Sequence, residues 1–382
     1  MALTALASSC SSNGRTDASS SSGSSSSAPA ATPSATGSTT LRPASSPGDV
    51  LTDEPYSELA GASTIDAHRI TYLSAGGVTV SGAVLAPKGV APAGGWPIIA
   101  WDHGTIGLAD RCAPSRSADL GGYALGLVLL VQSGYVVAAT DYPGLGTPGQ
   151  HPYLDGPSEG HAAIDIVHAA RELVAGASTT WFSVGHSQGG QASLFAGELA
   201  ATDGAGLDLA GVVAIAPASQ LPLFTKAVGT SAQAFLAMIA AGVVATDPTV
   251  KLSDLLSSEA LAKADVLDTS CNAELGKAFG AIDPLLAPGA ATNPALVAYL
   301  ARSDPGHRKT AAPVLVVQGE ADTTVLPVLT TTLVSTMCAV GDTVELRTYP
   351  SAGHGDVVIR ALGDIRAFLE ARLAGDPATS TC

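Results

Sequence analysis

Residues 180–201 read TWFSVGHSQGGQASLFAGELAA, an apolar segment followed by a glycine-rich turn and a run of helix-forming residues. Residues 181–184 are short, apolar and β-prone, which predicts a buried strand. Residues 191–201 have an apolar face at helical spacing. Between them, residues 185–189 fit G-x-S-x-G, the pattern of a sharp strand-to-helix turn that exposes a serine. We therefore predict that Ser187 is presented at such a turn, at the positive end of a helix dipole.

The five-residue pattern is a weak signal by itself, because glycine occurs 42 times in 382 residues and serine is also common. A glycine-rich turn in an ordinary βα unit is the alternative interpretation. The predicted strand before the pattern and the predicted helix after it favour a nucleophilic serine.

Composition limits the classes of partner. The chain is 46% apolar and 13% charged, which allows a large core, and its net charge is −15 with only 18 Lys and Arg. Such an acidic chain is not expected to bind nucleic acid or an anionic membrane surface. The five cysteines include no C-x-x-C pair, so we expect no zinc or other metal site. No cofactor is predicted.

From residue 50 onward, short apolar strands alternate with helical segments, which indicates an α/β protein with a mostly parallel sheet covered on both faces. We expect about eight strands, the first two forming an antiparallel hairpin at a sheet edge. The predicted strands are residues 68–73, 78–86, 98–102, 135–140, 181–184, 211–216, 314–318 and 344–349. The predicted helices of this core are residues 120–133, 158–174, 191–201, 326–338 and 357–373, with Ser158 as the N-cap of the second.

The chain divides by composition into three parts. Residues 1–48 form a Ser/Ala-rich tract, predicted to be a disordered leader or tether. Residues 49–220 and 310–382 form the predicted α/β core. Residues 221–309 are too long for one crossover and rich in Ala and Leu, so we predict a helical lid insertion over the strand ends. Its expected helices are residues 221–228, 232–244, 252–264, 273–279 and 294–302.

The first ten residues, MALTALASSC, resemble the end of a bacterial lipoprotein signal. A small-residue run leads to Cys10, and a Ser-rich tract follows. The match is poor, because a basic n-region is missing and the apolar run is short. Two interpretations therefore stay open: lipid attachment at Cys10, which would tether the protein to a membrane, and a plain linker. No later segment is long enough to span a bilayer.

A serine nucleophile needs a base and an acid that orients the base. After Ser187, one predicted strand leads into Gly-Glu-Ala-Asp at residues 319–322, which offers Asp322 and the rival acid Glu320. The next strand is followed by His354 in a glycine-rich loop. This chain order, with each residue beyond a strand end, predicts the catalytic triad Ser187, Asp322 and His354.

The negatively charged intermediate of acyl transfer needs two N–H donors. We expect one from the backbone of Gln188, the residue after the serine. The predicted strand at residues 98–102 leads into His103-Gly104-Thr105, so we assign the second donor to the backbone N–H of Thr105.

Two other patterns point to different chemistry and are disfavoured. Residues 144–149 fit G-x-G-x-x-G after a strand, but Pro148 and a following proline prevent an immediate helix start, which argues against a dinucleotide site. His161, Asp165 and His168 share one face of a predicted helix, a spacing that could hold a metal. Packing of that helix on the sheet explains these residues more simply.

With these residues in hand, the chain resembles the secretory lipase family of α/β-hydrolases, which includes a yeast lipase A and many actinobacterial members. The resemblance covers residues 50–372. The motifs that carry it are His103-Gly104-Thr105 through Cys112-Ala113-Pro114-Ser115, Asp141-Tyr142-Pro143-Gly144 with Tyr153 and Gly160, residues 185–190, Gln318-Gly319-x-x-Asp322 and Gly353-His354-Gly355. The resemblance implies hydrolysis of acylglycerols and other carboxylic esters, with a helical lid over an acyl-binding pocket. The yeast lipase has a different oxyanion loop, so Thr105 rests on analogy with other HG-type loops.

Four cysteines, Cys112, Cys271, Cys338 and Cys382, allow three pairings. Cys112 follows the oxyanion loop, and Cys271 lies in the insertion expected above it. Cys338 ends the helix after the acid loop, and Cys382 closes the tail. We therefore predict Cys112–Cys271 and Cys338–Cys382, and the family resemblance points the same way. Disulfides imply an oxidising compartment.

The leading hypothesis is a secreted or surface-tethered serine carboxylic-ester hydrolase, a monomer acting on a small-molecule or lipid ester through an acyl-enzyme. An acyltransferase of the same fold would use the same triad and pass the acyl group to an alcohol. A non-catalytic binding relative is expected to lack a triad member, and all three are present. A peptidase is disfavoured, because no propeller or other substrate-gating domain precedes the predicted fold.

Overall fold

The structure is a computed structural model that describes residues 45–226 and 230–382. Cys10, the candidate lipid-attachment residue, and the rest of residues 1–44 of the predicted leader lie outside the described residues. At the end of that leader, the N–H of Gly48 donates to the carbonyl of Leu73 at 2.7 Å.

A nine-stranded sheet runs through the described part of the chain, in the order β1-β2-β3-β5-β4-β6-β7-β8-β9. The three pairs that involve β1, β2 and β3 are antiparallel, and the other five pairs are parallel. The mostly parallel α/β fold that we predicted is confirmed. The strands are β1 Val50–Pro55, β2 Asp66–Ser74, β3 Val78–Ala86, β4 Trp96–Asp102, β5 Val136–Thr140, β6 Ala177–His186, β7 Asp208–Ile215, β8 Val314–Gly319 and β9 Val344–Tyr349.

The predicted number of strands was one too low. The additional strand is β1, which pairs with β2 and forms the edge of the sheet, outside the predicted hairpin. Only Val50 of this strand is buried, and its sequence VLTDEP has no apolar alternation to mark it. An edge strand with one exposed face and one free side gives a weak sequence signal.

Helices cover both faces of the sheet, as predicted. The helices α1, α11 and α12 pack on one face against residues such as Ile99 and Phe182. The helices α2 and α3 pack on the opposite face against Ile98 and Ala100, and α10 packs against the neighbouring strands. These helices are α1 Ala124–Gln132, α2 Gly156–Leu173, α3 Gln188–Asp203, α10 Pro327–Ala339, α11 Asp356–Arg360 and α12 Leu362–Ala374.

These helices differ from the prediction in three details. The helix predicted at residues 120–133 begins only at Ala124, after a short 3-10 helix, Leu120–Gly122. Asp155, and not Ser158, precedes the first helical residue of α2, and the Ser158 hydroxyl donates to the Asp155 carbonyl at 3.0 Å. The last helix, predicted as one continuous helix at residues 357–373, is interrupted at Ala361 and forms the two helices α11 and α12.

Between β7 and β8 the chain forms further helices that build an apolar core of their own. Met238, Phe279 and Tyr299 are among the fully buried members of this second core. The helices are α4 Thr230–Thr246, α5 Leu252–Leu255, α6 Ser258–Leu261, α7 Asp265–Thr269, α8 Asn272–Phe279 and α9 Pro294–Arg302, preceded by a short 3-10 helix, Leu221–Lys226. We predicted one continuous helix at residues 252–264, and this is wrong. The segment forms the two short helices α5 and α6, because Leu256 takes an extended conformation and Ser257 then caps α6.

The structure contains two disulfides, Cys112–Cys271 and Cys338–Cys382. The first joins the loop after β4 to the helices between β7 and β8. The second fixes the C-terminal tail, where the backbone N–H of Thr381 also donates to the carbonyl of Val344 at 2.7 Å. The tail therefore docks on β9 through main-chain bonding as well as through the disulfide.

Candidate active site

The turn between β6 and α3 holds Ser187 in a conformation that few residues adopt. Its φ is 59° and its ψ is −116°, in a positive-φ region that is unfavourable for residues with a side chain. The turn is also too tight for side chains on either side: a Cβ at Gly185 would lie 2.2 Å from the carbonyl oxygen of Gly189, and one at Gly189 would lie 1.8 Å from that of Asp102. The glycines of the motif are thus a steric requirement.

The loops after β8 and β9 bring an acid and a histidine together. The Nδ1 atom of His354 lies 2.7 Å from Oδ2 of Asp322, within strong hydrogen-bonding range. Glu320, the rival acid, is exposed and accepts a hydrogen bond from the Thr348 hydroxyl at 2.8 Å. The structure therefore places Asp322, and not Glu320, against the histidine.

Asp322 is held in its ionised form. Burial alone would raise the pKa of its carboxyl, but the hydrogen bond and positive charge of His354 oppose this and lower it below its usual value. Two backbone N–H groups, of Thr324 and Val325, add to the effect by donating to Oδ1 at 2.8 and 2.9 Å. A carboxylate fixed by such donors can hold one tautomer of the imidazole in place.

Ser187, His354 and Thr105 line one cavity of about 380 Å³ above the carboxyl ends of the parallel strands. This is the usual position of a ligand site in an open parallel sheet. Gln188 is the first residue of α3, so its backbone N–H has no acceptor within the helix. The structure thus brings the predicted triad and the predicted oxyanion residues to one place.

The predicted oxyanion loop, His103-Gly104-Thr105, is joined to the helices between β7 and β8. The Asn272 side chain donates from Nδ2 to the Thr105 carbonyl at 3.3 Å, and the Asn272 N–H donates to the Ile106 carbonyl at 2.8 Å. Close by, Gly107 forms a bridge with Cys271 beside the disulfide. The insertion therefore helps to fix the backbone of Thr105.

Two motifs that carry the family resemblance meet in the structure. Asp141 is fully buried and accepts hydrogen bonds from the backbone N–H of Ser115 at 2.9 Å and from the Ser81 hydroxyl at 2.7 Å. The residues Cys112-Ala113-Pro114-Ser115 and Asp141-Tyr142 thus form one polar anchor beneath the oxyanion loop.

A second histidine and a tyrosine border the site, and sequence reasoning missed both. The ring of His186 lies 4.6 Å from that of His354, and its Nε2 lies 2.9 Å from the His354 carbonyl. Burial, followed by the nearby charge of His354, lowers the pKa of His186 to about 4, so this ring is neutral at physiological pH. The Tyr123 hydroxyl lies 3.4 Å from Nδ1 of His186. His186 is the first variable residue of the G-x-S-x-G pattern, so its closeness to Ser187 could have been noticed. Nothing in the sequence marked Tyr123.

A buried polar network holds the side chain of Gln188. Its Nε2 donates to Oε1 of Glu159 at 2.7 Å and to Nε2 of His151 at 3.0 Å. Burial raises the pKa of Glu159 to about 8 and lowers that of His151 to about 3. Although these two groups lie 3.8 Å apart, both are therefore neutral near pH 7 and do not form an ion pair. The network fixes the residue that supplies the predicted oxyanion donor.

The buried Glu159 predicts a pH-dependent stability. Glu159 keeps its proton up to about pH 8 in the folded protein, whereas in the unfolded chain it loses the proton near the ordinary pKa of 4.5. The native state therefore binds more protons in this window, so this group favours folding less as the pH rises. We expect Tm of Glu159→Gln, which mimics the protonated acid, to rise relative to wild type between pH 4.5 and 8, measured by thermal melts. The same change at exposed Glu320 is the control, and a pH-independent Tm difference for Glu159→Gln would contradict the prediction.

The residues of the two disfavoured patterns lie away from the cavity. Residues 144–149 form a loop, and α2 begins later, at Gly156. On α2, Asp165 accepts hydrogen bonds from the Ser74 hydroxyl at 2.7 Å, while His161 lies 3.7 Å from Asp203. His168 packs near Gly48. Within the described part of the chain, no cluster of three or more His, Cys, Asp or Glu is arranged to hold a metal.

A family model described as secretory lipase matches residues 120–280 of the chain. The predicted resemblance to secretory lipases is confirmed. A second model, for the prolyl oligopeptidase family, matches residues 264–374. Both families are serine hydrolases, and the segment matched by the second contains the Asp322 and His354 loops. Among curated proteins, none matches the sequence.

Solved structures share the fold of this secretory-lipase-like chain. Candida antarctica lipase A in its closed state superposes with a TM-score of 0.73 at 17% identity, covering 88% of this chain and 84% of the lipase. The rice cell wall degrading esterase LipA from Xanthomonas oryzae superposes with a TM-score of 0.69 at 20% identity, covering 87% of this chain and 100% of the esterase. A putative hydrolase from Legionella pneumophila gives 0.71 at 20% identity, with coverages of 84% and 98%. At these identities the likeness establishes the α/β-hydrolase fold.

The family match and the two disulfides indicate an extracellular protein. Among the helices of the described residues, none combines the length and hydropathy that a bilayer span needs.

Proposed function

We propose that this chain is an exported serine carboxylic-ester hydrolase with Ser187 as nucleophile, His354 as general base and Asp322 as the group that orients it. The observation that carries the proposal is the 2.7 Å contact between His354 and Asp322 in the cavity that Ser187 lines. The substrate is a carboxylic ester such as an acylglycerol. The proposed enzyme is a monomer that is either released from the cell or tethered to its surface through Cys10.

The reaction runs in two halves. His354 Nε2 takes the proton of the Ser187 hydroxyl as Oγ bonds to the ester carbonyl carbon, and the N–H groups of Gln188 and Thr105 stabilise the oxyanion. The bond from carbon to the alkoxy oxygen then breaks, and His354 gives its proton to the departing alcohol. Water repeats the sequence on the acyl-enzyme and releases the carboxylic acid. Asp322 stabilises the imidazolium in both halves.

The helices between β7 and β8 are proposed to act as a lid and to hold the acyl chain. Phe235, Asn272 and Gly276 from these helices line the cavity with Ser187. Leu236, by contrast, is 4% exposed and packs in the core of the insertion, away from the cavity lining. The two neighbouring residues therefore have different surroundings.

We expect Phe235→Gln to reduce kcat/KM for ethyl decanoate at least tenfold while ethyl acetate changes less than twofold, because a polar group replaces apolar surface beside the acyl chain. A series of ethyl esters of increasing acyl length measures this. Leu236→Gln is the control, and it should lower Tm and affect short and long acyl chains alike. Equal losses on short and long esters for Phe235→Gln would contradict the acyl-chain assignment.

Product analysis tests the reaction class. With an ester substrate and a competing alcohol in water, a hydrolase gives mainly the free acid, whereas an acyltransferase gives mainly the new ester. The proposal expects the acid. If the acyl group is transferred mainly to the alcohol, the protein is an acyltransferase and not a hydrolase, and the triad assignment is unchanged.

The prolyl oligopeptidase match makes peptide hydrolysis the second candidate. An ester and the matching amide, such as the p-nitrophenyl ester and the p-nitroanilide of one acyl group, separate the two. We expect cleavage of the ester only, and comparable kcat/KM on the amide would favour a peptidase.

A further inference from the structure

A second, apolar cavity lies directly behind the active site. It lies between α1 and the pair α11–α12, has a volume of about 110 Å³ and opens to solvent at Ile359, Leu362 and Arg366; we call it the α1–α12 cavity. Trp101, Val184 and Ile215 from the sheet line it, together with aliphatic side chains such as Leu127 and Val358. Apolar surface of this kind can cover the hydrocarbon part of a ligand and so remove it from water.

One residue separates this cavity from the active site. Tyr123 lines both, with its ring 5.0 Å from the ring of Trp101 and its hydroxyl directed at the catalytic side. That hydroxyl makes only long contacts, 3.4 Å to the Gly104 N–H and 3.4 Å to Nδ1 of His186. Hydrogen bonds of this length are weak, so they contribute little to holding the Tyr123 ring in place.

A glycine in a helix keeps the α1–α12 cavity open. Gly126 lies within α1 and lines the cavity, and a Cβ built on it meets no atom within 4 Å. Glycine inside a helix is destabilising relative to alanine. The space beside Gly126 is therefore available to another molecule, and a larger side chain can fill it without a clash at Cβ.

The position of the cavity relative to His354 indicates which part of the ester it can bind. In ester cleavage His354 must protonate the departing alkoxy oxygen, so the alcohol part of the substrate lies on the His354 side. The rings of His354 and His186 are 4.6 Å apart, His186 contacts Tyr123, and α11 begins two residues after His354, at Asp356. The cavity is thus on the alcohol side, whereas Phe235 approaches Ser187 from the insertion.

We propose that the α1–α12 cavity binds the alkyl chain of the alcohol part of the ester, entered past the Tyr123 ring. The inference rests on the proposed ester hydrolysis and assigns the two apolar parts of the substrate to different walls of the site. The alcohol chain lies between α1 and α11–α12, and the acyl chain lies under the insertion. Each methylene group buried in the cavity should raise kcat/KM by up to about fourfold.

Two ester series test this assignment in the full chain. One series is the n-alkyl acetates from methyl to octyl, and the other is the ethyl esters from acetate to decanoate, both followed by acid release in a pH-stat. All alkyl acetates form the same acetyl-enzyme, so the preference for the alcohol appears in kcat/KM, which includes the first half-reaction, and not in a kcat limited by deacylation.

We expect Gly126→Leu to lower kcat/KM for octyl acetate at least tenfold while methyl acetate and the whole acyl series stay within twofold of wild type. Gly126→Ala should give a smaller effect in the same direction, and both variants should fold, because each residue is a better helix former than glycine. Gly363→Leu is the matched control: this exposed glycine of α12 also has no atom within 4 Å of a built Cβ, and it is not part of the cavity lining.

The outcomes separate this inference from the proposed function. In one outcome wild type hydrolyses esters, and kcat/KM depends on the length of the alcohol chain in the same way in Gly126→Leu and Gly363→Leu. That result would overturn the inference and leave the proposed function standing. A Gly126→Leu effect on the acyl series instead of the alcohol series would also overturn it, because the cavity would then hold the acyl chain. Failure of wild type to cleave any ester in either series would overturn both.

Discussion

Ser187→Ala should reduce ester turnover by about 10⁶ while the fold stays intact, because the covalent route through the serine oxygen is lost. The strained backbone at this position, with φ of 59°, is set by the turn and its glycines, so the shorter side chain fits the same place. Turnover of p-nitrophenyl butyrate measures the effect, and a thermal melt confirms the fold.

The control is Ser335→Ala on the exposed side of α10, where the hydroxyl donates only to the carbonyl of Thr331 at 3.0 Å. This variant should keep wild-type turnover. If Ser187→Ala also kept it, Ser187 would not be the nucleophile.

Asp322→Asn should reduce turnover by about 10⁴. The amide nitrogen of asparagine would face Nδ1 of His354, which favours the tautomer that carries its proton on Nε2 and cannot accept the serine proton. The two backbone donors at Oδ1, from Thr324 and Val325, should keep the asparagine in the orientation of the aspartate. The measurement is kcat for a short p-nitrophenyl ester at pH 8.

Glu320→Gln is the matched control, since Glu320 lies two residues away and contacts Thr348 on the exposed side of the loop. We expect less than a threefold change in kcat. A large loss in Glu320→Gln together with a mild effect of Asp322→Asn would assign the acid to Glu320.

The parallel strands were predictable because both of their faces are buried. The sequences of β5 and β8, VVAAT and VLVVQG, each begin with four apolar residues, and each position in them is buried. The triad was predictable for a related reason: its members follow strand ends, and the carboxyl ends of parallel strands meet at one edge of the sheet. Strand β1 was missed since only Val50 is buried there.

Other features of the site depend on contacts that sequence spacing does not encode. Glu159 lies near the start of a predicted helix, where an acid is common and marks no site, yet the packing of α2 against α3 buries it beside Gln188. Tyr123 reaches the site from the loop before α1, and only the three-dimensional path of that loop brings its hydroxyl near His186. Phe235 and Leu236 are neighbouring apolar residues of one predicted helix, and the sequence does not tell which of them faces the cavity. The rotation of α4 about its axis decides that Phe235 lines it.

The central claim, that Ser187 is activated by His354 for attack on an ester carbonyl, can be tested by covalent trapping. Diethyl p-nitrophenyl phosphate transfers its diethylphosphoryl group to an activated serine oxygen and releases p-nitrophenolate, and the adduct is located by peptide mass spectrometry. The account predicts one adduct per chain, on Ser187, with labelling abolished in His354→Ala. An adduct on another residue, or no adduct on a chain that still hydrolyses esters, would contradict it.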